Sequence, residues 1–200
     1  MASKIKITFL GTGSAIPTAS RNHTGILLTY ENENILVDCG EGIQRQFRRA
    51  KISPQKLTKL LITHWHGDHI LGIPGLLQTL ALDEYKKTLH IYGPKGTKHF
   101  MEKMFEAFVF VNKLNLEIHE ISEGKFFENS DFYLESFFVK HHKIPSIAYI
   151  FLKKGQLRID KAKLKKLKLP AGKHLQDLKK GKDISYNGKK YSARDLTFIE

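Results

Sequence analysis

The feature that most constrains this chain is a short stretch in which four possible metal ligands fall within six residues. It reads Thr63-His64-Trp65-His66-Gly67-Asp68-His69 and directly follows the apolar run from Leu57 to Ile62, which is predicted to be a strand. In extended backbone, residues i and i+2 face the same side, so His64 and His66 can bind one ion. The spacing predicts a metal centre at the end of this strand.

The second half of the stretch extends the prediction. Gly67 allows the chain to turn, so Asp68 and His69 are expected to face a neighbouring point and bind a second ion. Imidazole nitrogen combined with carboxylate oxygen suits Zn²⁺, with Mn²⁺ or Fe²⁺ possible. We therefore expect two Zn²⁺ ions in a complete site.

This H-x-H-x-D-H pattern resembles the signature of the metallo-β-lactamase superfamily. The segment Ile35-Leu36-Val37-Asp38-Cys39-Gly40-Glu41-Gly42 is similar to that superfamily's strand-to-turn element. The resemblance implies that Asp38 supports the ligand loop, which would orient the imidazoles and raise their basicity. A second interpretation makes Asp38 the N-cap of a helix from Glu41 to Lys51.

The remaining pattern agrees with a mixed α/β protein. Strand-like runs such as Gly25 to Tyr30 and Phe132 to Val139 alternate with helical runs such as Ile73 to Leu82 and Thr97 to Phe108. The expected fold is an α/β, metallo-β-lactamase-like αββα sandwich, incomplete at the C-terminus, with a protruding basic arm.

The opening of the chain narrows the resemblance to the ribonuclease Z family. Phe9-Leu10-Gly11-Thr12-Gly13-Ser14-Ala15-Ile16-Pro17-Thr18 is similar to that family's start, and Arg21-Asn22 completes a P-x-x-x-R-N loop. The resemblance implies that Arg21 and Asn22 bind substrate at the tRNA 3′ end. The family's usual lysine two residues after the proline is replaced by Ala19.

A second element, His142-Lys143-Ile144-Pro145-Ser146 with Ala148-Tyr149, resembles the family's H-x-I-P-S-x-A/G-Y element. The resemblance implies that His142, two residues before Ile144, is the third ligand of the first metal; His141 is the alternative. The other histidines have no such context and are expected to be ordinary surface or packed residues: His23, His90, His99, His119 and His174.

The charge of the chain is concentrated in one segment. Of a total of +13, a local +11 lies between Lys153 and Lys190, which contains 14 basic and 3 acidic residues. That asymmetry indicates a polyanion-binding segment. It falls where ribonuclease Z has an arm that binds tRNA, although Gly172-Lys173 replaces the usual Gly-Pro pair. The lysines expected to contact RNA are Lys161, Lys163, Lys165, Lys166, Lys168, Lys173, Lys179, Lys180 and Lys182.

The resemblance accounts for about the first two thirds of a ribonuclease Z. We expect residues 1–152 to form the first part of the core, 153–190 the arm, and 191–200 a return to the core before truncation. The family's bridging aspartate and last histidine ligand are not found after Leu196. We therefore expect the chain alone to cleave RNA poorly.

The function implied is a zinc-dependent endoribonuclease that removes the 3′ trailer from precursor tRNA, leaving a tRNA 3′-hydroxyl and a 5′-phosphate on the trailer. Asp68 is the candidate general base. One alternative is a metallo-β-lactamase-fold hydrolase of a small ester, thioester or lactam. Another is a non-catalytic RNA-binding remnant.

The composition excludes several other classes of protein. Cys39 is the single cysteine, so neither a disulfide framework nor a cysteine-based zinc site is expected. No apolar run approaches the ~18 residues that a membrane span requires. We expect a cytoplasmic homodimer with precursor tRNA as its partner, without a membrane or another protein.

Overall fold

The computed structural model describes residues 4–109, 114–141, 143–155 and 157–199. The strands are β1 (Lys6–Gly11), β2 (Gly25–Tyr30), β3 (Glu33–Val37), β4 (Lys59–Leu61), β5 (Thr88–Gly93), β6 (Asn115–Glu120), β7 (Gly124–Glu128), β8 (Phe132–Phe138), β9 (Ile147–Lys153), β10 (Leu157–Ile159), β11 (Ile184–Tyr186), β12 (Lys189–Tyr191) and β13 (Thr197–Ile199). The helices are α1 (Ile43–Arg49), α2 (Gly67–Ile70), α3 (Ile73–Leu82), α4 (Thr97–Ala107), α5 (Lys161–Lys166), α6 (Leu175–Lys179) and α7 (Ala193–Leu196), with a 3-10 turn at Pro54–Lys56.

The chain divides into two compact units. The first comprises Met1–Phe126 and Glu135–Ile150, and the second comprises Phe127–Leu134 and Phe151–Glu200. A three-stranded sheet has the order β7-β8-β9. None of the helices in the described part of the chain has the length and apolar character needed to cross a membrane.

A six-stranded sheet with the order β1-β2-β3-β4-β5-β6 forms the centre of the first unit. The first three strands pair antiparallel, and β3 to β6 pair parallel. Each parallel step needs a crossover, and helices supply it: α1 between β3 and β4, α2 and α3 between β4 and β5, and α4 between β5 and β6. The mixed α/β character expected from the sequence is confirmed.

One face of this sheet is buried under helices. Leu36 and Leu60 of the strands share a fully buried cluster with Phe47 of α1, Leu77 of α3 and Met101 of α4. Burying a leucine or phenylalanine side chain contributes about 1.5–3 kcal/mol, so this face anchors β4. The ligand stretch begins directly after β4, on an anchored strand end.

The second unit has a hydrophobic core of its own. The buried members are Leu164, Leu169, Leu175, Leu178, Ile184, Ala193 and Leu196. Asp160 caps α5 by accepting hydrogen bonds from the backbone N–H groups of Ala162 and Lys163. The Lys-rich segment is therefore a packed element and not an isolated charged helix.

The end of the described chain differs from one sequence expectation. Residues 191–200 are predicted to return to the core formed by residues 1–152, but β12 pairs with β11, and β13 pairs with β10 in a separate two-stranded sheet. The cause lies in packing, because Ala193 and Leu196 of α7 are buried in the core of the second unit. Their burial holds the adjoining β13 beside β10.

Candidate metal centre

The ligand stretch adopts the local geometry that its spacing predicts. His66 has an extended conformation, with φ −72° and ψ 147°, and precedes the first turn of α2. The short helix α2 then presents Asp68 and His69. The segment after β4 and this helical turn bring four donor groups to the same strand end.

The ring nitrogens of His64 and His66 lie close together. His64 Nε2 lies 3.1 Å from His66 Nδ1. Two nitrogens bound to one tetrahedral Zn²⁺, each at about 2.0–2.1 Å, stand roughly 3.3 Å apart, so the observed spacing fits such an ion. The donor set and its geometry therefore suit a divalent metal.

A third histidine joins this pair from a distant part of the chain. A ligand atom of His141 lies within 4.8 Å of those of His64 and His66. The His141 ring centroid is 4.8 Å from that of His64 and 5.2 Å from that of His66. His142, preferred from the sequence register, lies outside the described residues. The structure thus brings the alternative residue, His141, to the first group of ligands.

Asp68 and His69 stand beside this group. His69 Nε2 is 3.5 Å from Asp68 Oδ2, and the His69 ring centroid is 4.0 Å from that of His64. The other ring nitrogen of His69, Nδ1, lies 2.7 Å from Asp38 Oδ2. Because Nδ1 faces the carboxylate, Nε2 is the nitrogen that can share an ion with Asp68.

Asp38 is buried next to Thr63 and His69, and its carboxylate orients both residues. Its carboxylate accepts hydrogen bonds from the backbone N–H of Thr63 at 2.8 Å and from the Thr63 hydroxyl at 2.9 and 3.0 Å. Asp38 itself has φ 59°, a left-handed conformation that aspartate tolerates better than most residues. The N-cap interpretation is wrong, because Gly42 precedes α1 and no side chain caps that helix.

Thr63 is a contributor that sequence reasoning missed. Its hydroxyl lies 2.9 Å from His64 Nδ1 while also contacting Asp38. The hydroxyl can donate to the carboxylate and accept from the imidazole, which leaves the lone pair of His64 on Nε2, facing His66. A threonine directly before an H-x-H pattern at a strand end was the available signal.

The environment keeps His64 neutral. Burial, followed by the nearby His69, lowers the pKa of His64 to about 4, so its Nε2 keeps a lone pair near neutral pH. Burial also lowers the pKa of His69, but the hydrogen bond and charge of Asp38 outweigh it, and the net pKa is raised. Burial raises the pKa of the Cys39 thiol well above its usual value, so this thiol stays protonated and unreactive near neutral pH.

The element that carries His141 is tied to the ligand strand. The Tyr149 hydroxyl donates to the Ile62 carbonyl at 2.7 Å, and the Ile147 N–H donates to the Thr63 carbonyl at 3.0 Å. A cavity of about 450 Å³ opens here, lined by both His64 and His141. A substrate group can approach the ligands through it.

Comparison with known proteins gives the family of this chain. A family model described as Anti-Pycsar protein Apyc1 matches residues 5–163, which is most of the chain. The chain belongs to this family. The resemblance to ribonuclease Z is confirmed as well: the chain is 39% identical to the ribonuclease Z of Nanoarchaeum equitans over 194 residues, or 97% of this chain and 61% of that relative.

Similarity to solved structures shows that this chain has a metallo-β-lactamase fold. The crystal structure of human tRNase Z, short form, matches with a TM-score of 0.68 and 32% identity over 74% of this chain and 64% of that one. A metallo-β-lactamase-fold protein from Bacillus subtilis matches with a TM-score of 0.61 and 21% identity over 74% of this chain and 57% of that one. The chain spans about three fifths of the length of the curated relatives that it matches.

Asn22 holds in place the loop from Pro17 to Asn22, which resembles a loop of ribonuclease Z. Its amide donates to the Glu41 carbonyl at 2.7 Å, and its carbonyl oxygen accepts a hydrogen bond from Gln46 at 3.1 Å. Arg21 is exposed, and its backbone N–H donates to the Thr18 hydroxyl. Of the two predicted substrate-binding residues, Arg21 thus lies at the surface while Asn22 is bonded within the loop.

The predicted RNA-binding lysines all lie at the surface of the second unit. Each is exposed: Lys161, Lys163, Lys165, Lys166, Lys168, Lys173, Lys179, Lys180 and Lys182. The leucines between them, such as Leu164, Leu169 and Leu178, are buried in that unit's core. This alternation fixes the backbone that carries the charges while the ammonium groups stay in water.

Proposed function

We propose that this chain carries the metal-binding and RNA-binding parts of an endoribonuclease that removes the 3′ trailer from precursor tRNA. The products would be a tRNA with a 3′-hydroxyl and a trailer with a 5′-phosphate. The observation that carries the proposal is the convergence of His64, His66 and His141 beside Asp68 and His69, in a chain 39–41% identical to proteins named ribonuclease Z.

The ligands divide into two groups in this proposal. His64, His66 and the histidine at 141 or 142 hold the first ion, and Asp68 with His69 holds the second. Zn²⁺ is the ion that we propose, and Mn²⁺ or Fe²⁺ also suits these donors. Divalent ions held there would lower the pKa of water towards about 7 and would stabilise negative charge on a phosphate.

The chain's own residues position the reaction. Asp38 and Thr63 fix the imidazoles of His69 and His64, so that the donor nitrogens need little reorganisation when substrate binds. Asp68, a carboxylate beside His69 Nε2, is the group that we assign as general base for the attacking water.

The exposed lysines supply RNA affinity in the proposal. Lysine contacts with phosphates give binding strength but read no sequence, so folded tRNA would be selected by its shape. If about six phosphates are contacted, the affinity should fall as roughly the −5 power of salt concentration, from ~0.7–0.9 per contact.

The RNA test compares two variants with equal charge changes. Lys163, Lys165 and Lys166 are replaced by alanine in one variant, and the exposed Lys86, Lys87 and Lys95 of the first unit in the control. We expect the first variant to bind precursor tRNA more weakly and to lower the salt slope by about 2–3. Equal effects in both variants, or no salt dependence in the parent, would remove RNA from the proposal and favour a small-molecule hydrolase.

Cleavage is tested with the same precursor and added Zn²⁺ or Mn²⁺. Among the described residues, no third side chain joins Asp68 and His69 in a group of three possible ligands. We therefore expect the second ion to bind weakly and the 200-residue chain to cleave slowly. Rapid cleavage that His64→Ala abolishes and His99→Ala retains would contradict the expected impairment; RNA binding without any metal-dependent cleavage would favour the RNA-binding remnant.

Homodimer formation and a cytoplasmic location are two further predictions. A homodimer is tested by light scattering of the purified chain, and a cytoplasmic location by fractionation of cells that express it.

A further inference from the structure

A second cluster of possible ligands lies on the six-stranded sheet, away from the residues of the candidate metal centre. His90 of β5 and Glu117 and His119 of β6 each offer a ligand atom, and these atoms lie within 4.8 Å of one another. The sequence interpretation treated both histidines as ordinary. In sequence they are separated from the glutamate by 27 and 2 residues, so no single local motif contains all three.

The parallel register creates the cluster. His90 is the register partner of Glu117, and Tyr92 is the partner of His119. Because side chains alternate along a strand, residues 90 and 92 of β5 share a face with residues 117 and 119 of β6. Two imidazoles and one carboxylate therefore stand side by side near the β6 edge of the sheet.

The ring nitrogens face the carboxylate without hydrogen bonding to it. Glu117 Oε2 lies 3.1 Å from His90 Nδ1 and 3.6 Å from His119 Nε2. Both nitrogens are buried, and within the described residues neither has a hydrogen-bond partner. A buried polar nitrogen without a partner is costly, and a cation bonded to both nitrogens and the carboxylate oxygen would satisfy all three atoms.

We propose that His90, Glu117 and His119 bind a divalent transition-metal ion of the zinc class, which ties β6 to β5. A two-histidine, one-carboxylate set is a common zinc ligand set, and it leaves the fourth position to water. The carboxylate supplies one negative charge, and neutral imidazoles supply the other two bonds. This site shares no residue with the candidate metal centre, and metal binding there does not depend on RNA binding.

The neighbouring side chains hold the cluster in position. Tyr92 stacks on His119 with ring centroids 4.7 Å apart and an interplanar angle of 18°, and it also packs against Phe126 at 5.0 Å. Lys59, the register partner of His90 on β4, places its ammonium 2.8 Å from Glu33 Oε2. That ion pair balances a positive charge that would otherwise oppose a cation beside His90.

Metal content tests the proposal in the full chain. The parent protein and the double variant His90→Asn/His119→Asn are stripped with a chelator, dialysed against Zn²⁺ and measured by elemental analysis. We expect the double variant to retain one fewer Zn²⁺ per chain. The matched control is His99→Asn, because His99 is exposed and lies outside both clusters; it should lose none.

A second measurement follows the histidine ring resonances directly. In the parent chain with labelled histidines, Co²⁺ should shift or broaden the ring resonances of His90 and His119 but leave those of His99 unchanged. Glu117→Gln should weaken that effect at least tenfold in Co²⁺ concentration. Equal zinc content in the double variant and the parent, or unperturbed His90 and His119 resonances at saturating Co²⁺, would overturn the proposal.

Discussion

Asp38 is the residue whose replacement tests the architecture of the metal centre most directly. Its side chain is 5% exposed, lies 2.7 Å from His69 and accepts hydrogen bonds from both the backbone and the hydroxyl of Thr63. Asp38→Ala removes this acceptor and leaves buried donors without a partner. Breaking such a buried charged network destabilises a protein by about 3–5 kcal/mol.

The backbone adds a smaller effect. Asp38 has φ 59°, a left-handed region that costs a residue with a Cβ about 1–2 kcal/mol, and aspartate offsets part of that cost where alanine does not. We therefore expect Asp38→Ala to lower the free energy of unfolding by about 3–6 kcal/mol, a large part of the ~5–15 kcal/mol total of a typical domain. Asp38→Asn keeps the conformation and one acceptor, so it should fold but bind Zn²⁺ about 10–100-fold more weakly.

The matched control is Glu84→Ala. Glu84 has φ 56°, but glutamate and alanine both carry a Cβ in this region and the Glu84 side chain is 78% exposed, so the replacement should change the free energy of unfolding by only about 0–0.5 kcal/mol. Urea unfolding in the presence of a chelator measures the stabilities, and competition with a zinc indicator measures the affinities. If Asp38→Ala is no less stable than Glu84→Ala, the network does not hold the ligand loop, and the reasoning fails.

Three further predictions concern other parts of the molecule. His141→Ala should weaken Zn²⁺ binding at the first group of ligands at least tenfold, measured by the same competition; an unchanged affinity would leave the third position to His142. Burial lowers the pKa of His64 to about 4, below its unfolded value of 6.5, so the unfolded chain binds the proton first. Stability from this group is present above pH 6.5 and is lost as the pH falls towards 4, so His64→Gln should reduce the loss of the urea midpoint between pH 7 and pH 5; an identical loss would argue against a buried neutral imidazole. Leu178→Ala, at a fully buried position of the second unit, should destabilise that unit by about 2–5 kcal/mol and increase its amide hydrogen exchange; unchanged exchange would mean that the unit lacks an independent core.

Local patterns predicted the elements whose geometry is set by neighbouring residues. The helix Ile73–Leu82 was predicted with its observed bounds, and the strand Gly25–Tyr30 likewise. The clustering of the side chains from His64 to His69 was also predictable, because these residues are close in sequence and a single helical turn follows His66.

Long-range contacts were decided by the tertiary structure. Asp38 meets His69 across 31 residues because Asp38 leaves β3 and the ligand stretch leaves β4, and these strands are parallel neighbours. The presence of His141 at the first group of ligands likewise depends on how the segment after β8 returns to Thr63. Sequence resemblance suggested both contacts, but the register of the sheet created them.

The sequence by itself determined the ligand chemistry, the local spacing of the centre and the concentration of positive charge, since each follows from residue types and backbone periodicity. The tertiary structure decided the role of Thr63, the grouping of His90 with Glu117 and His119, and the common core of Leu164 and Leu196. These features depend on strand order and on packing between residues far apart in the chain, and no local pattern encodes either of them.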